Sequence, residues 1–429
     1  MARTERHSSR AAVRITLRVG IFGGLSNFGY SLGKILRKRG LDVELIQDPH
    51  ENFAFSQPLW DDCEIVLDAE ALRDSATNQQ FWAKKAVEVG WKRPEWVRHV
   101  NARGRGVTVR RPGLALRTVL RAGISAGAAR FALESLHLVG PLSEFDFLVL
   151  LGIGPVFGSL AGVPYVAIPC GADITWLPFQ SGLLAQMQRN AYAGANRILI
   201  GDWRFADSLA RLNLSDHWTY FPFPIYPEGY ADRGTVENVV PRLWPSLTVD
   251  RFVFFIPSAQ EFRVKGTDKA LRAFLRLSRE RDDVVLVTPS WGTDSSRAKD
   301  MVMGAKAEGR VVFFPYVVSR PLLRAFYRAS NVVVDEFVFG SYGLSTLEAM
   351  ACERAVISFY DANAYRPYLK ELPPTLLAYT EQEIYDKMRW AVENPDALAT
   401  VARESHEWVV HTHGPASVQI LEKAISEAA

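Results

Sequence analysis

Cysteine is scarce in this chain: three among 429 residues, Cys63, Cys170 and Cys352, with no CxxC pair. So few, so far apart and odd in number, they exclude a disulfide framework and a zinc site, and they suit a reducing cytoplasm. Long apolar runs are missing as well. The stretch from Ile15 to Leu25 is short and broken by Arg18 and by glycines, so it reads as neither a signal peptide nor a membrane span. The GxGxxG dinucleotide fingerprint is absent, the early glycines falling at 20, 23, 24 and 29. No DxD pair stands where a strand end would present it to a metal. His406, His411 and His413 are close in sequence, but 411 and 413 cannot share a helical face, and they are read as structural. His50 stands alone in a loop and receives no role.

What the chain does have is enough apolar residue for large cores: 48% hydrophobic against 23% charged, which excludes extensive disorder. At this length one core does not suffice, and two domains of roughly 200 residues are expected. Net charge is only +3, yet it is unevenly spread. Residues 84–130 hold twelve Lys/Arg against Glu88 and Glu95, a net of +10, so the rest of the chain carries −7. Interleaved with Trp82, Trp91, Trp96, Leu114, Leu116 and Leu120, this segment suits an anionic partner such as a lipid headgroup surface, and equally a solvated basic face. No nucleic-acid partner is expected.

Residues 1–14 read as a flexible basic arm. Strands are expected at Arg18–Phe22, Val43–Ile46, Glu64–Leu67, Asp146–Leu151, Tyr165–Ile168 and Arg197–Ile200, with a basic helical stretch through Leu138. The helix after Gly23 buries Leu32, Ile35 and Leu36, wets Lys34, Arg37, Lys38 and Arg39, and stops at Gly40. Gly23, Gly24 and Asn27 therefore lie just beyond a strand's carboxyl end, where open α/β sheets bind ligands. Asp173 sits beside Gly171 at another such edge, as a hydroxyl acceptor or a helix cap. Five prolines in 222–250 mark a linker between a domain at 15–221 and one at 251–414, and residues 415–429 form a last helix. Phe252–Ile256, Val284–Val287, Val311–Phe314 and Ala355–Phe359 repeat the strand pattern. Ser290 and Trp291 at one strand end and Tyr316 at another share the rim. The class is α/β, two Rossmann-like domains facing across a cleft.

The organising stretch is NVVVDEFVFGSYGLSTLEAMACERAVIS, residues 331–358. An apolar run opens through Gly340, Ser341, Tyr342 and Gly343 into a helix starting near Ser345, a design that points unpaired N–H groups at an anion. Glu348 falls in the expected first turn, either as a dipole partner or as an acceptor from ribose hydroxyls. GSYGLSTLEAMACERAVIS resembles the donor segment of retaining GT-B glycosyltransferases of family four, where E-x7-E sits in a phrase like EGFGLPxLEAMAxGxPVI. Glu348 matches the second glutamate. The first position holds Gly340, with Asp335 and Glu336 a few residues upstream. KGTDKALRAF also resembles that family's donor-diphosphate segment, and Lys265 matches its lysine. The arginine usually five residues earlier is Gln260 here, and Arg263 lies nearer.

The resemblance implies a metal-independent glycosyltransferase that moves a sugar from a nucleotide-diphosphate donor to a hydroxyl acceptor, with no cofactor. Lys265, Arg263 and Glu348 would act in catalysis. Gly24, Ser290, Trp291, Tyr316, Gly340, Ser341, Tyr342, Gly343, Leu344 and Ser345 would line the donor. Gly23, Asn27 and Asp173 would meet the acceptor or sugar. Cations beside a diphosphate stabilise the charge that grows there as the glycosidic bond breaks. The location implied is cytoplasmic, with the inner membrane face as a docking surface for 84–130. A nucleotide-sugar epimerase of the same fold and an inactive binding subunit stay open as alternatives.

Overall fold

A computed structural model describes residues 17–23, 25–48, 53–78, 80–100, 126–230 and 251–428. Gly24, the arm at 1–14, residues 101–125 of the basic segment and residues 231–250 of the linker lie outside the described residues. In chain order the strands are β1 Arg18–Phe22, β2 Asp42–Gln47, β3 Val66–Leu67, β4 Val97–His99, β5 Phe147–Leu151, β6 Tyr165–Ile168, β7 Arg197–Ile200 and β8 Trp218–Tyr220. The second half continues with β9 Phe252–Phe255, β10 Val284–Pro289, β11 Val311–Phe314, β12 Val317–Val318, β13 Val332–Val334, β14 Ala355–Ser358 and β15 Leu376–Leu377.

Strands such as FLVLL (β5) and VVV (β13) are buried throughout, as parallel strands covered on both faces must be. They form two sheets, one ordered β4-β2-β1-β5-β6-β7-β8 and one ordered β11-β10-β9-β13-β14-β15. Every ladder in both is parallel. In the first sheet the order reverses at β1, between β2 and β5; in the second it reverses at β9, between β10 and β13. Crevices open at the carboxyl ends of such switch points. Gly23 stands at one of them, and Ser258, Asp335 and Glu336 at the other.

The helix Phe28–Lys38 buries Tyr30, Leu32, Ile35 and Leu36 and ends in Arg37 and Lys38, cations suited to a helix C-terminus. At the far end of the chain, the helix Pro415–Ala428 returns to the first sheet, where Val418, Leu421 and Ile425 join the core built on Val19, Ile21 and Phe147. Arg39 Nη2 and Glu422 Oε2 hold it at 2.8 Å.

Three expectations need correction. Val97–His99 is an edge strand, registered Leu45↔Val97, rather than part of a basic helix. Arg98 reaches Glu44 on the neighbouring strand at 2.6 Å and Glu144 at 2.9 Å, so cross-strand pairing overrides the helical reading. The Glu64–Leu67 segment does not join the first sheet. Its Val66 and Leu67 pair antiparallel with Val318 and Val317 of the second domain. Finally, Glu348 lies beyond the first turn of its helix, Leu344–Ala351, which carries no acidic residue in that turn.

Candidate active site

Lys265 closes a one-turn helix, Phe262–Lys265, and Gly266 follows at φ +68, turning the chain into the long helix Thr267–Glu280. A side chain at Gly266 would meet the Phe337 Cβ at 3.0 Å, so glycine lets this turn press against the segment after β13. Across that contact Lys265 Nζ donates to Glu336 Oε2 at 3.0 Å. The other oxygen, Oε1, accepts from the backbone N–H of Val338 and Phe339, each at 3.1 Å. The Glu336 side chain is 3% exposed and that of Lys265 33%, so a buried carboxylate steadies an ammonium that still faces the cleft. Burial works to lower the Lys265 pKa, but Asp335 and Glu336 outweigh it and hold the lysine above its ordinary value.

Asp335 is buried and held by Ser258 Oγ at 2.7 Å and Thr346 Oγ1 at 3.2 Å. It lies against the start of the helix Leu344–Ala351, whose unpaired N–H groups favour negative charge. Gly340 takes φ +69, and a Cβ there would come within 3.3 Å of the Phe359 ring. The loop shape thus favours glycine where the resemblance expects glutamate, and the carboxylate beside the lysine is that of Glu336.

Glu348 is brought to the site's edge but enclosed. Its Oε1 pairs with Arg320 Nε at 3.1 Å and accepts from Tyr230 OH at 3.2 Å, while Oε2 accepts from Tyr327 OH at 3.3 Å. Arg320 belongs to the helix Arg320–Ala329 of the second domain, yet Nη1 reaches Asp61 Oδ2 and Ser31 Oγ of the first, both at 3.3 Å, and Nη2 donates to the Ser26 carbonyl at 2.9 Å. Burial opposes the Arg320 charge, but Asp61 and Glu348 raise its pKa above the usual guanidinium value. Asp61 Oδ1 is buried and unpartnered. It faces a pocket between the domains with Ser31, Lys34, Tyr230, Arg324 and Leu344.

The remaining residues divide clearly. Ser290 and Trp291 follow β10, and Tyr316 lies half-buried between β11 and β12 on the same rim. Trp291 packs 6.5 Å from Phe55 of the first domain. Ser341 is buried, and Ser345 stands in the first turn of the helix that Gly343 caps. Tyr342 sends its ring into the core, stacked on Tyr365 at 4.7 Å with its hydroxyl on Tyr220 OH at 2.8 Å, so only its backbone lies along the loop. Arg263 is exposed and pairs with none of the described residues. Gln260 is a core amide donating to Thr288 Oγ1 at 2.5 Å and places no charge at the family's arginine position.

In the first domain Gly23 has φ +108, and a Cβ would sit 2.9 Å from Leu151, so backbone geometry explains it. Asn27 is buried at φ +57 and donates to the Gln57 carbonyl at 2.9 Å. Asp173 accepts from Cys170 N at 3.0 Å and Tyr192 OH at 2.6 Å; burial raises its pKa, and these bonds oppose the rise. Both side chains are occupied within their own domain. Arg320, Tyr230, Trp203 and Arg204 also stand at the cleft, and none was found by sequence reasoning. No local pattern marks them; Arg320 precedes a proline at a helix start and otherwise looks like any surface arginine.

Two doubly wound parallel sheets facing across such a cleft define the GT-B fold. Residues 250–394, most of the second domain, match the family described as Glycosyl transferases group 1. That stretch is similar to group 1 glycosyl transferases, and the solved structures share the fold of the whole chain. No curated protein matches the chain in sequence. HepE of Anabaena, solved with UDP, is similar in structure at TM-score 0.64 and 13% identity, over 96% of this chain and 100% of that one. Sucrose-phosphate synthase of Thermosynechococcus elongatus is similar at TM-score 0.61 and 13% identity, over 96% and 100%. A UDP-N-acetylglucosamine 2-epimerase is similar at TM-score 0.54 and 15% identity, over 95% of each chain. Among the described residues no group of three or more His, Cys, Asp or Glu could hold a metal, and no helix is long and apolar enough to cross a membrane.

Proposed function

We propose that the protein transfers a sugar from a nucleotide-diphosphate donor to a hydroxyl acceptor with retention and without a metal, the donor lying on the second domain and the acceptor on the first. The observation that carries this is the partly exposed Lys265 side chain, steadied by buried Glu336 and set beside the glycine loop that opens the helix Leu344–Ala351. A diphosphate in that corner meets a fixed cation and unpaired N–H groups without reorganisation, so charge developing on the leaving group is stabilised as the sugar's C1–O bond breaks. Asp335, Glu336 and Glu348 are all engaged by partners. The departing phosphate oxygen is then the base nearest the incoming hydroxyl: the acceptor oxygen bonds to C1 and its proton passes to the phosphate, on one face of the ring. Closure of the cleft keeps water from competing.

Turnover of sugar nucleotides by purified protein tests the reading. UDP, GDP and ADP and their sugars, screened by thermal shift, identify the base, since a ligand at ~100 times its dissociation constant adds about 2.7 kcal/mol. Lys265→Ala should abolish that stabilisation; nucleotide binding as in the parent would mean the site is misplaced. The epimerase likeness supplies a second reading. Release of nucleoside diphosphate only when an acceptor is present separates transfer from epimerisation.

Charge supports a membrane-side acceptor through residues 84–130. Part of this charge is already matched: Lys85 with Glu88 at 2.9 Å, Arg98 with Glu44, and Arg130 with Glu134 at 2.8 Å. Sedimentation with anionic vesicles at low and high salt decides, and binding indifferent to salt would remove the membrane from the reading.

A further inference from the structure

Lys265 is one cation at a place where a diphosphate presents two phosphates, and neither position from which the family resemblance would draw a second one supplies a held charge. Gln260 is a buried neutral amide, and Arg263 is exposed and unheld. The opposing lip belongs to the first domain, where β7 runs into Asp202, Trp203 and Arg204. Trp203 Nε1 donates to the Gly340 carbonyl at 3.0 Å, which fixes this lip against the glycine loop. Arg204 then lies with its guanidinium carbon 4.7 Å from the centre of the Phe339 ring. The backbone N–H of that same Phe339 is bound by Glu336, whose other oxygen holds Lys265. Lys265, Glu336, Phe339 and Arg204 thus form one unbroken line of contacts across the cleft.

Arg204 is also aimed. Asp202 accepts from its Nε at 3.0 Å on both carboxylate oxygens and from its backbone N–H at 3.0 Å. Nη1 donates to none of the described residues, and the side chain is 32% exposed. Asp202 raises the Arg204 pKa against the lowering effect of burial, and Glu336 adds to the rise; Arg204 in turn works to lower that of Lys265. The two cations therefore share one field, and each has a carboxylate partner.

We infer that Arg204, carried by the first domain, is the second cation on the donor's diphosphate, supplying from across the cleft the charge that Gln260 does not. The inference rests on the donor-site reading above. A guanidinium suits this post, because its fork can bind two phosphate oxygens while Asp202 holds its other edge. The arrangement also ties charge stabilisation to closure, since the second cation reaches the leaving group only when the lips meet.

The test uses the full chain and the nucleoside diphosphate and monophosphate of whichever base, uridine, guanosine or adenosine, protects it from thermal unfolding. Titration calorimetry of Arg204→Ala should show diphosphate affinity falling about tenfold or more, a loss of about 1.4 kcal/mol, with monophosphate affinity unchanged within a factor of about two. Arg204→Lys should recover part of the loss, and kcat should fall with diphosphate affinity. Trp203→Phe, which removes the bond to Gly340 and part of the ring's packing against the core, serves as the packing control. An unchanged ratio of diphosphate to monophosphate affinity in Arg204→Ala, with that ratio lowered in Lys265→Ala, overturns the inference and leaves the donor site standing. An equal loss in Trp203→Phe overturns it too, by reducing Arg204 to a domain contact. A ratio unchanged in both Arg204→Ala and Lys265→Ala sinks the donor site and the inference together.

Discussion

Removing the Arg320 guanidinium should be among the most damaging single changes available outside the apolar cores. Its side chain is 13% exposed, and it stands between Asp61 at 5% and Glu348 at 4%. Arg320→Met keeps most of the volume but leaves two buried carboxylates without their cation, and strips donors from Ser31 and the Ser26 carbonyl. Breaking a buried pair from one side costs about 3–5 kcal/mol. With a urea slope of ~3 kcal/mol/M, at the upper end for small proteins, the midpoint should fall by roughly 1–2 M. Because two domains need not unfold as one, tryptophan fluorescence should be followed through the whole transition and the midpoint read directly. The triple variant Arg320→Met, Asp61→Asn, Glu348→Gln should recover most of the loss, since removing every charge removes the desolvation problem with it. A shift under about 0.3 M in the single variant would refute the reasoning, for it would mean that water already reaches these groups.

Other expectations are simpler. Glu336→Gln takes away the Lys265 counter-charge while keeping an amide on the Val338 and Phe339 N–H groups; sugar-nucleotide affinity should change by at least about tenfold, and titration calorimetry would show it. Gly340→Glu, which restores the family's glutamate, should lose about 1–2 kcal/mol of stability from the left-handed backbone alone and gain no activity, as melting and turnover assays can show. Burial pushes His413 down to about 4 from 6.5, its Nε2 having no partner. A depressed folded pKa means the contribution is complete above pH 6.5 and drains as pH falls toward 4, by about 3 kcal/mol in all. His99 is pushed down to about 4 as well, so His413→Gln should remove roughly half of the acid-side slope of the urea midpoint rather than all of it.

Much of the architecture was legible because parallel strands buried on both faces read as unbroken apolar runs. Phe147–Leu151, Val332–Val334 and Ala355–Ser358 are such runs, and they carry the loops that form the site. Lys265 was singled out by the family resemblance of KGTDKALRAF, and the glycine loop by its strand–loop–helix pattern. Val97–His99 was not, because its strand character comes from Glu44 and Glu144 across the fold rather than from its own residues. The enclosure of Glu348 was equally hidden, since Arg320, Tyr230 and Tyr327 converge on it from different segments. Gly340 shows the converse: its departure from the family's pattern falls where the backbone takes φ +69 and a Cβ would crowd the Phe359 ring, which the sequence could not display.

The antiparallel pairing of Val66 and Leu67 with Val317 and Val318 bears on how the molecule can move. Two further bonds extend it, Ser319 N to the Ile65 carbonyl at 2.9 Å and Ile65 N to Ser319 Oγ at 2.8 Å, and Trp60, Trp82 and Val317 shield the seam in one apolar cluster. A hinge that swings both halves freely apart would have to tear these bonds at every turnover. The cheaper motion is a rotation pivoting on the seam, which keeps the β12 edge stitched while the lips at Trp203 and Gly340 separate. Substrate entry and product exit would then use the opening between those lips.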